Sequence, residues 1–214
     1  MKVKLCGFTE ATSLAAAIAN KADFIGFVFA PNSPRYIDPE KVAELARIVP
    51  PTINIVAVFA NTDLEIIKKV YKNLNPQYFQ FHGSETPRFL DKIREIFPKV
   101  KIIKAFKIAN RQDLKDVRNF ESVSDMFLFD SKPKTLNEPL GGSGQAFDWK
   151  LLFGFRSRRE WFLSGGIDVT NALAAAKITG ARAIDVSSGI EKTRGEKSVE
   201  LIEQLMKKVK TNVA

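Results

Sequence analysis

The chain has 214 residues, 45% hydrophobic and 27% charged, with a net charge of +9 and a single cysteine. That apolar content suits one globular domain with a sizeable core and argues against a disordered chain. One cysteine excludes an internal disulfide, and the longest apolar runs, such as FIGFVFA at 24–30, are too short to cross a bilayer.

The N-terminus, MKVKLCGF, has no long apolar stretch and does not read as a signal peptide, so a cytoplasmic protein is expected. From there β-rich runs and helical patterns alternate. A strand at 3–8 (VKLCGF) leads to a helix at 13–21, a strand at 24–29 to a helix at 39–49, and a strand at 53–59 to a helix at 64–74. The next pairs are 78–82 with 87–97, and 102–107 with 111–120. Strand 126–130 is followed by a weak helical candidate at 147–155, strand 161–165 by a helix at 171–179, and strand 183–188 by a helix at 198–210. Several helices start after a Thr, Asp or Ser cap, and Pro39 and Pro87 fit a first helical turn. Strand–helix units repeated eight times demand a parallel sheet, and eight of them close into a (β/α)8 TIM barrel: an α/β fold, one domain over 1–214. The alternative, an open doubly wound sheet, lacks its fingerprint, since LCGFTEATS after the first strand carries one glycine.

The positive charge makes nucleic acid the first partner to consider. The basic residues are spread along the chain, however, and the densest cluster, LMKKVK at 205–210, suits the end of a helix. No aromatic RNA-binding motif, zinc-finger spacing or basic arm is present, so neither nucleic acid nor membrane is expected as a partner. The charge would instead favour a small anionic ligand.

In a barrel, chemistry sits where strands end and the following loops begin. Those ends are polar and glycine-rich here, while the strand interiors are apolar. Gly165 and Gly166 in SGG, with Ser187 and Ser188 in SSG, end the last two strands, where barrels frequently bind phosphate through backbone N–H groups and hydroxyls. A pair of ordinary turns is the plainer alternative. LGGSG at 140–144, with Gly142 and Gly144, lies in the longest such loop and reads either as a flap that closes on the ligand or as a merely flexible loop. Cys6 shares its strand face with Lys4 while Val3 and Leu5 share the other, so Cys6 should face the barrel mouth as a base or nucleophile rather than fill the core. Asp130 closes MFLFD, where a carboxylate is costly without a partner, and reads as an acid or base or as a cap for the next segment. Cys6 and Asp130, on strands one and six, would flank a substrate from opposite sides. Arg35, after the rigid turn at Pro34, suits a planar carboxylate; a surface salt bridge is the alternative. His82 is the only histidine, and with no Cys or His cluster nearby a metal site is not expected.

Parity makes one further demand. Lys4 lies one layer below Cys6, and Asp185, grouped with the phosphate-end residues, lies one layer below Ser187. Closing the ring makes strands one and eight neighbours, so Lys4 and Asp185 should meet as a buried ion pair beneath the phosphate site.

Read in order, VKLCG (3–7), GFVFAPNSPRYI (26–37), VAVFAN (56–61), QFHGSE (80–85), FLFDSK (127–132), GGSGQAFDW (141–149), LSGGI (163–167) and IDVSSGIE (184–191) resemble the phosphoribosylanthranilate isomerase family of tryptophan biosynthesis. The segments span nearly the whole chain and are specific together, though weak singly. The resemblance implies a (β/α)8 barrel catalysing a cofactor-free Amadori rearrangement of N-(5-phosphoribosyl)anthranilate, a small phosphosugar, by a monomer or homodimer. It implies Cys6 as general base, Asp130 as general acid, Arg35 on the substrate carboxylate and His82 at the active-site mouth. It also puts Gly142, Gly144, Gly165, Gly166, Ser187 and Ser188 at the phosphate. No metal or cofactor is implied. A free thiol has a pKa near about 8.5, so the site is expected to stabilise some thiolate. The chain departs from the family pattern at Arg194, where proline is usual, which would loosen the last loop. Two alternatives stay open: the related isomerase of histidine biosynthesis, which carries aspartate in place of Cys6, and a phosphate-binding barrel without catalysis, which would need no acid–base pair.

Overall fold

The computed structural model describes residues 1–132 and 148–211. Eight parallel strands form the centre: β1 (Lys2–Cys6), β2 (Phe24–Val28), β3 (Asn54–Phe59), β4 (Tyr78–Phe81), β5 (Lys101–Ile108), β6 (Met126–Ser131), β7 (Glu160–Leu163) and β8 (Ala183–Val186). Each pairs with the next, and β1 also pairs with β8, so the sheet closes into the expected barrel. Strands β1, β2, β4, β7 and β8 end slightly earlier than the apolar runs suggest, while β5 and β6 run one residue further. His82, Ser187 and Ser188 are therefore loop residues that start where β4 and β8 stop, the usual position for chemistry in this architecture.

Around the barrel run α1 (Ala11–Ala19), α2 (Val42–Ala46), α3 (Leu64–Leu74), α4 (Pro87–Ile96), α5 (Ala172–Thr179) and α6 (Val199–Thr211). In α4, Pro87 takes the first position and the Thr86 hydroxyl accepts from Phe89 N–H, a Pro-plus-cap start. The helix expected at 39–49 shrinks to α2, because Pro39 lies in the turn before it and Pro50–Pro51 bar continuation. The segments expected as helices at 111–120 and 147–155 are 3₁₀ turns, at Arg111–Phe120 and Trp149–Leu152. A short antiparallel hairpin, β9 (Glu191–Thr193) and β10 (Glu196–Lys197), follows β8 and was not legible in the sequence. Arg194 sits in its two-residue turn, beside Gly195.

Strand parity divides the core in two. One layer, including Val3, Leu5, Ile25, Phe27, Phe79 and Phe127, packs under the helices. The other fills the barrel, where Phe24 meets Phe162 and Tyr78 edge to face at 5.1 and 5.4 Å and floors the interior with aromatic surface. This aromatic layer packs the interior beneath the mouth. Among the described residues, no helix is long and apolar enough to cross a membrane.

Candidate active site

One pocket opens at the C-terminal ends of the strands, with about 700 Å³ of empty space continuous with solvent. Every described candidate from the sequence lines it: Cys6, Arg35, His82 and Asp130, then Gly165, Gly166, Asp185, Ser187 and Ser188. Gly142 and Gly144 lie outside the described residues.

At the end of β1, Cys6 faces the pocket and is nearly buried. Gly26, its register partner on β2, makes room for it, since a Cβ there would come within 2.6 Å of Cys6 Sγ. Directly below, the Lys4 ammonium has no exposure and lies 2.7 Å from Asp185 Oδ1, so the ion pair demanded by parity is present. Ser164 Oγ donates to the other Asp185 oxygen at 3.1 Å. Burial alone would lower the pKa of Lys4, but the carboxylate of Asp185 and the neighbouring Cys6 outweigh it and the pKa is raised. Cys6 runs opposite to the thiolate-stabilising site expected from the sequence. Burial pushes its thiol up, Asp185 adds to the rise, and the Lys4 ammonium offsets only part of it. Cys6 is therefore a thiol at neutral pH, and Lys4 supports its ionisation from beneath.

Across the pocket, Asp130 is the last residue but one of β6 and is 5% exposed. Its Oδ1 accepts from Ser131 N–H at 2.7 Å, which fixes the carboxylate plane. Its Oδ2 lies 3.1 Å from Nε2 of His82. The other ring nitrogen, Nδ1, lies 3.0 Å from Nε2 of Gln80. An amide nitrogen only donates, so in this arrangement Nδ1 accepts and His82 carries its proton on Nε2, toward Asp130. Gly165, with φ at 81°, packs behind the carboxylate: a Cβ there would fall 2.6 Å from Ser131 N and 3.0 Å from Asp130 Oδ1. Both the backbone conformation and the space require glycine.

Arg35 is buried rather than at the surface, which removes the exposed salt bridge weighed from the sequence. Its Nε and Nη2 grip Glu191 Oε1 and Oε2 at 2.6 and 2.8 Å. Lys197 Nζ reaches the same carboxylate at 2.6 Å, and Gly195 N–H donates to it at 3.1 Å. Although burial favours the neutral acid, the bond from Arg35 and the nearby Lys197 pull Glu191 down to about 2. Burial pulls Lys197 down to about 8 against the attraction of Glu191. Lys197 also donates to the carbonyl and hydroxyl oxygens of Ser187, whose hydroxyl in turn donates to the Cys6 carbonyl at 2.9 Å. The network ties the loop after β2, the hairpin and the end of β8 to the base of the pocket.

Sequence reasoning missed Gln80, Ser164, Glu191 and Lys197. The signal for Gln80 was there, a lone amide in the apolar strand YFQF with the same parity as His82. Glu191 and Lys197 carried no such signal, because they become buried only when the hairpin folds back over residues more than a hundred positions earlier.

This arrangement meets a matching family. The family model of N-(5'-phosphoribosyl)anthranilate (PRA) isomerase covers residues 3–208. An N-(5'-phosphoribosyl)anthranilate isomerase from Zymomonas mobilis is 39% identical over 210 residues, 98% of each chain. The crystal structure of phosphoribosyl anthranilate isomerase from Thermotoga maritima superposes with a TM-score of 0.87 at 34% identity, over 99% of both chains. Another, of phosphoribosyl anthranilate isomerase with reduced 1-(o-carboxyphenylamino)-1-deoxyribulose 5-phosphate, gives 0.84 at 31% identity over 99% of both. With a family match over nearly its whole length and a fold that superposes throughout, the chain belongs to the N-(5'-phosphoribosyl)anthranilate isomerase family.

Proposed function

We propose that the protein catalyses the Amadori rearrangement of N-(5'-phosphoribosyl)anthranilate, in the cytoplasm, with Cys6 as general base and Asp130 as general acid. The observation that carries the assignment is that a thiol on β1 and a carboxylate on β6 line one pocket. Asp130 gives a proton to the furanose ring oxygen as the bond from that oxygen to C1′ breaks and the anthranilate nitrogen lone pair forms the C1′=N Schiff base. The minor thiolate form of Cys6, supported by the Lys4 ammonium beneath it, then removes the C2′ proton, and the C–H electrons form a C1′=C2′ bond that neutralises the nitrogen. The enolamine tautomerises to the ketone, its 2′-hydroxyl proton leaving and C1′ gaining one. The chemistry needs an acid and a base on opposite sides of the sugar.

Binding at the two ends of the substrate supplies the positioning. Arg35, held in orientation by Glu191 while it lines the pocket, suits the planar anthranilate carboxylate. The loops bearing Gly165, Gly166, Ser187 and Ser188, together with Gly142 and Gly144, bind the phosphate. Asp185 serves that end from below, through Lys4 and Ser164, rather than by touching an anion it would repel. Cys6→Ala and Asp130→Asn are each expected to lower kcat by at least about a hundredfold with the fold intact. Turnover near the wild-type rate in either variant would remove that residue from its role. Rescue of a tryptophan-requiring but not a histidine-requiring strain would separate this reaction from the related isomerisation in histidine synthesis, and failure to rescue either would favour a binding barrel.

A further inference from the structure

Gln80 is 1% exposed, and its Oε1 is fully buried without a hydrogen-bond partner among the described residues. Its Nε2, meanwhile, donates to His82 Nδ1. With no partner on that oxygen, nothing among the described residues but the His82 contact holds the amide in one orientation. An amide has two faces. If its oxygen turns to His82, Nδ1 must carry a proton, and the ring can then either donate Nε2–H to an ionised Asp130 or accept from a protonated one. Both of those states hold one more proton than the arrangement with Nε2 of Gln80 on the ring.

We propose that Gln80 is a positioning residue whose amide face follows the proton count of the Asp130–His82 pair, so that Asp130 is loaded as an acid only when the Gln80 oxygen receives Nδ1–H. This rests on the reading of Asp130 as the acid. The amide can serve both proton counts, which a residue that only donates or only accepts would not. Lys107 on β5 is close enough to Asp130 to interact with its charge, and Lys104 on β5, Lys132 after β6 and Glu85 after β4 act on Lys107 in turn. Cys6 on β1, Asp185 on β8 and Arg35 after β2 face the Asp130–His82 pair across the pocket. Lys107 is the register partner of Asp130 and contributes a positive field at the same end.

His82 is the only histidine in the chain, so its two ring nitrogens give a single pair of ¹⁵N signals in the intact protein. The expected result is that Nδ1 is bare at high pH and gains a proton at the pH where one limb of the kcat/KM profile lies. Gln80→Glu, whose carboxylate only accepts, should shift both events upward together by about one pH unit or more. An Nδ1 already protonated at high pH overturns the proposal, as does a titration more than about one unit from either limb. A Gln80→Glu variant in which the ring signal and the limb fail to move together overturns it too. If that variant does not fold, the wild-type comparison alone decides. The acid assignment is tested apart from this: an inactive Asp130→Asn alongside an unresponsive His82 sinks the coupling and leaves the acid in place.

Discussion

Replacing Lys4 with methionine removes an ammonium that sits 2.7 Å from Asp185 at a site with no exposure. Methionine fills a similar length of core, so the loss comes mainly from stranding a buried carboxylate rather than from a cavity. Breaking such a pair from one side costs about 3–5 kcal/mol. Ser164 still donates to Asp185, and the carboxylate can take up a proton, so the lower end of that range is expected. At a urea slope of about 2–3 kcal/mol per molar, the midpoint should fall by about 1–1.5 M. The same substitution removes the cation that opposes the burial of Cys6 and leaves Asp185 to push the thiol higher. Each unit of further rise leaves about tenfold less thiolate at neutral pH, and the Cys6 limb of the kcat/KM profile should move to higher pH. Urea unfolding and the pH profile read the two effects separately. Lys4→Met/Asp185→Asn should regain most of the stability, since no unpaired charge remains and the asparagine oxygen still accepts from Ser164. A Lys4→Met protein with the wild-type midpoint and an unmoved pH profile would refute the reasoning outright.

Arg35→Met should lower kcat/KM by about tenfold to a hundredfold, the size of a lost charge-assisted contact, while Glu191 keeps Lys197 as its partner; unchanged steady-state kinetics would reduce Arg35 to a structural role. Glu191 contributes a pH dependence of known sign. Its folded pKa of about 2 lies below its ordinary 4.5, so its stabilisation is complete above 4.5 and is lost as the pH falls toward 2. Urea midpoints should therefore drop less steeply through that window in Glu191→Gln than in the wild type, and parallel curves would show that the carboxylate is not held as described.

The barrel was legible because its signals are local. Apolar runs of strand length alternate with helical periods along the chain, and parity on β1 and β8 was enough to bring Lys4 to Asp185. What failed were boundaries and long-range burial. Proline at both ends trimmed α2, and the 3₁₀ turns at Arg111–Phe120 and Trp149–Leu152 share too much of the helical pattern to be distinguished by it. Lys104 shows the limit of parity. It points away from the barrel interior, where solvent or apolar packing would be expected, yet is 3% exposed because Glu85 and the carbonyls of Phe81 and Gly83 surround its ammonium. No pattern of single residues announces such a cage. The direction of the Cys6 shift was illegible for a similar reason: it depends on how completely the mouth buries the thiol, a property of the assembled site.

The proposed acid and base are held by opposite means. Asp130 is positioned by neutral donors, a backbone N–H and an imidazole, on a wall built around Gly165. Cys6 sits over a full ion pair, and the chain of contacts from Arg35 through Glu191, Lys197 and Ser187 ends at its carbonyl. The Lys4 cation beneath Cys6 offsets part of the burial that keeps the thiol protonated. The two groups thus sit in different environments, as the proposed division into acid and base requires. The contact chain adds a geometric consequence. Arg35 and Ser187, both lining the pocket, are joined through Glu191 and Lys197, so a ligand that presses on either acts on a frame that includes the Cys6 backbone.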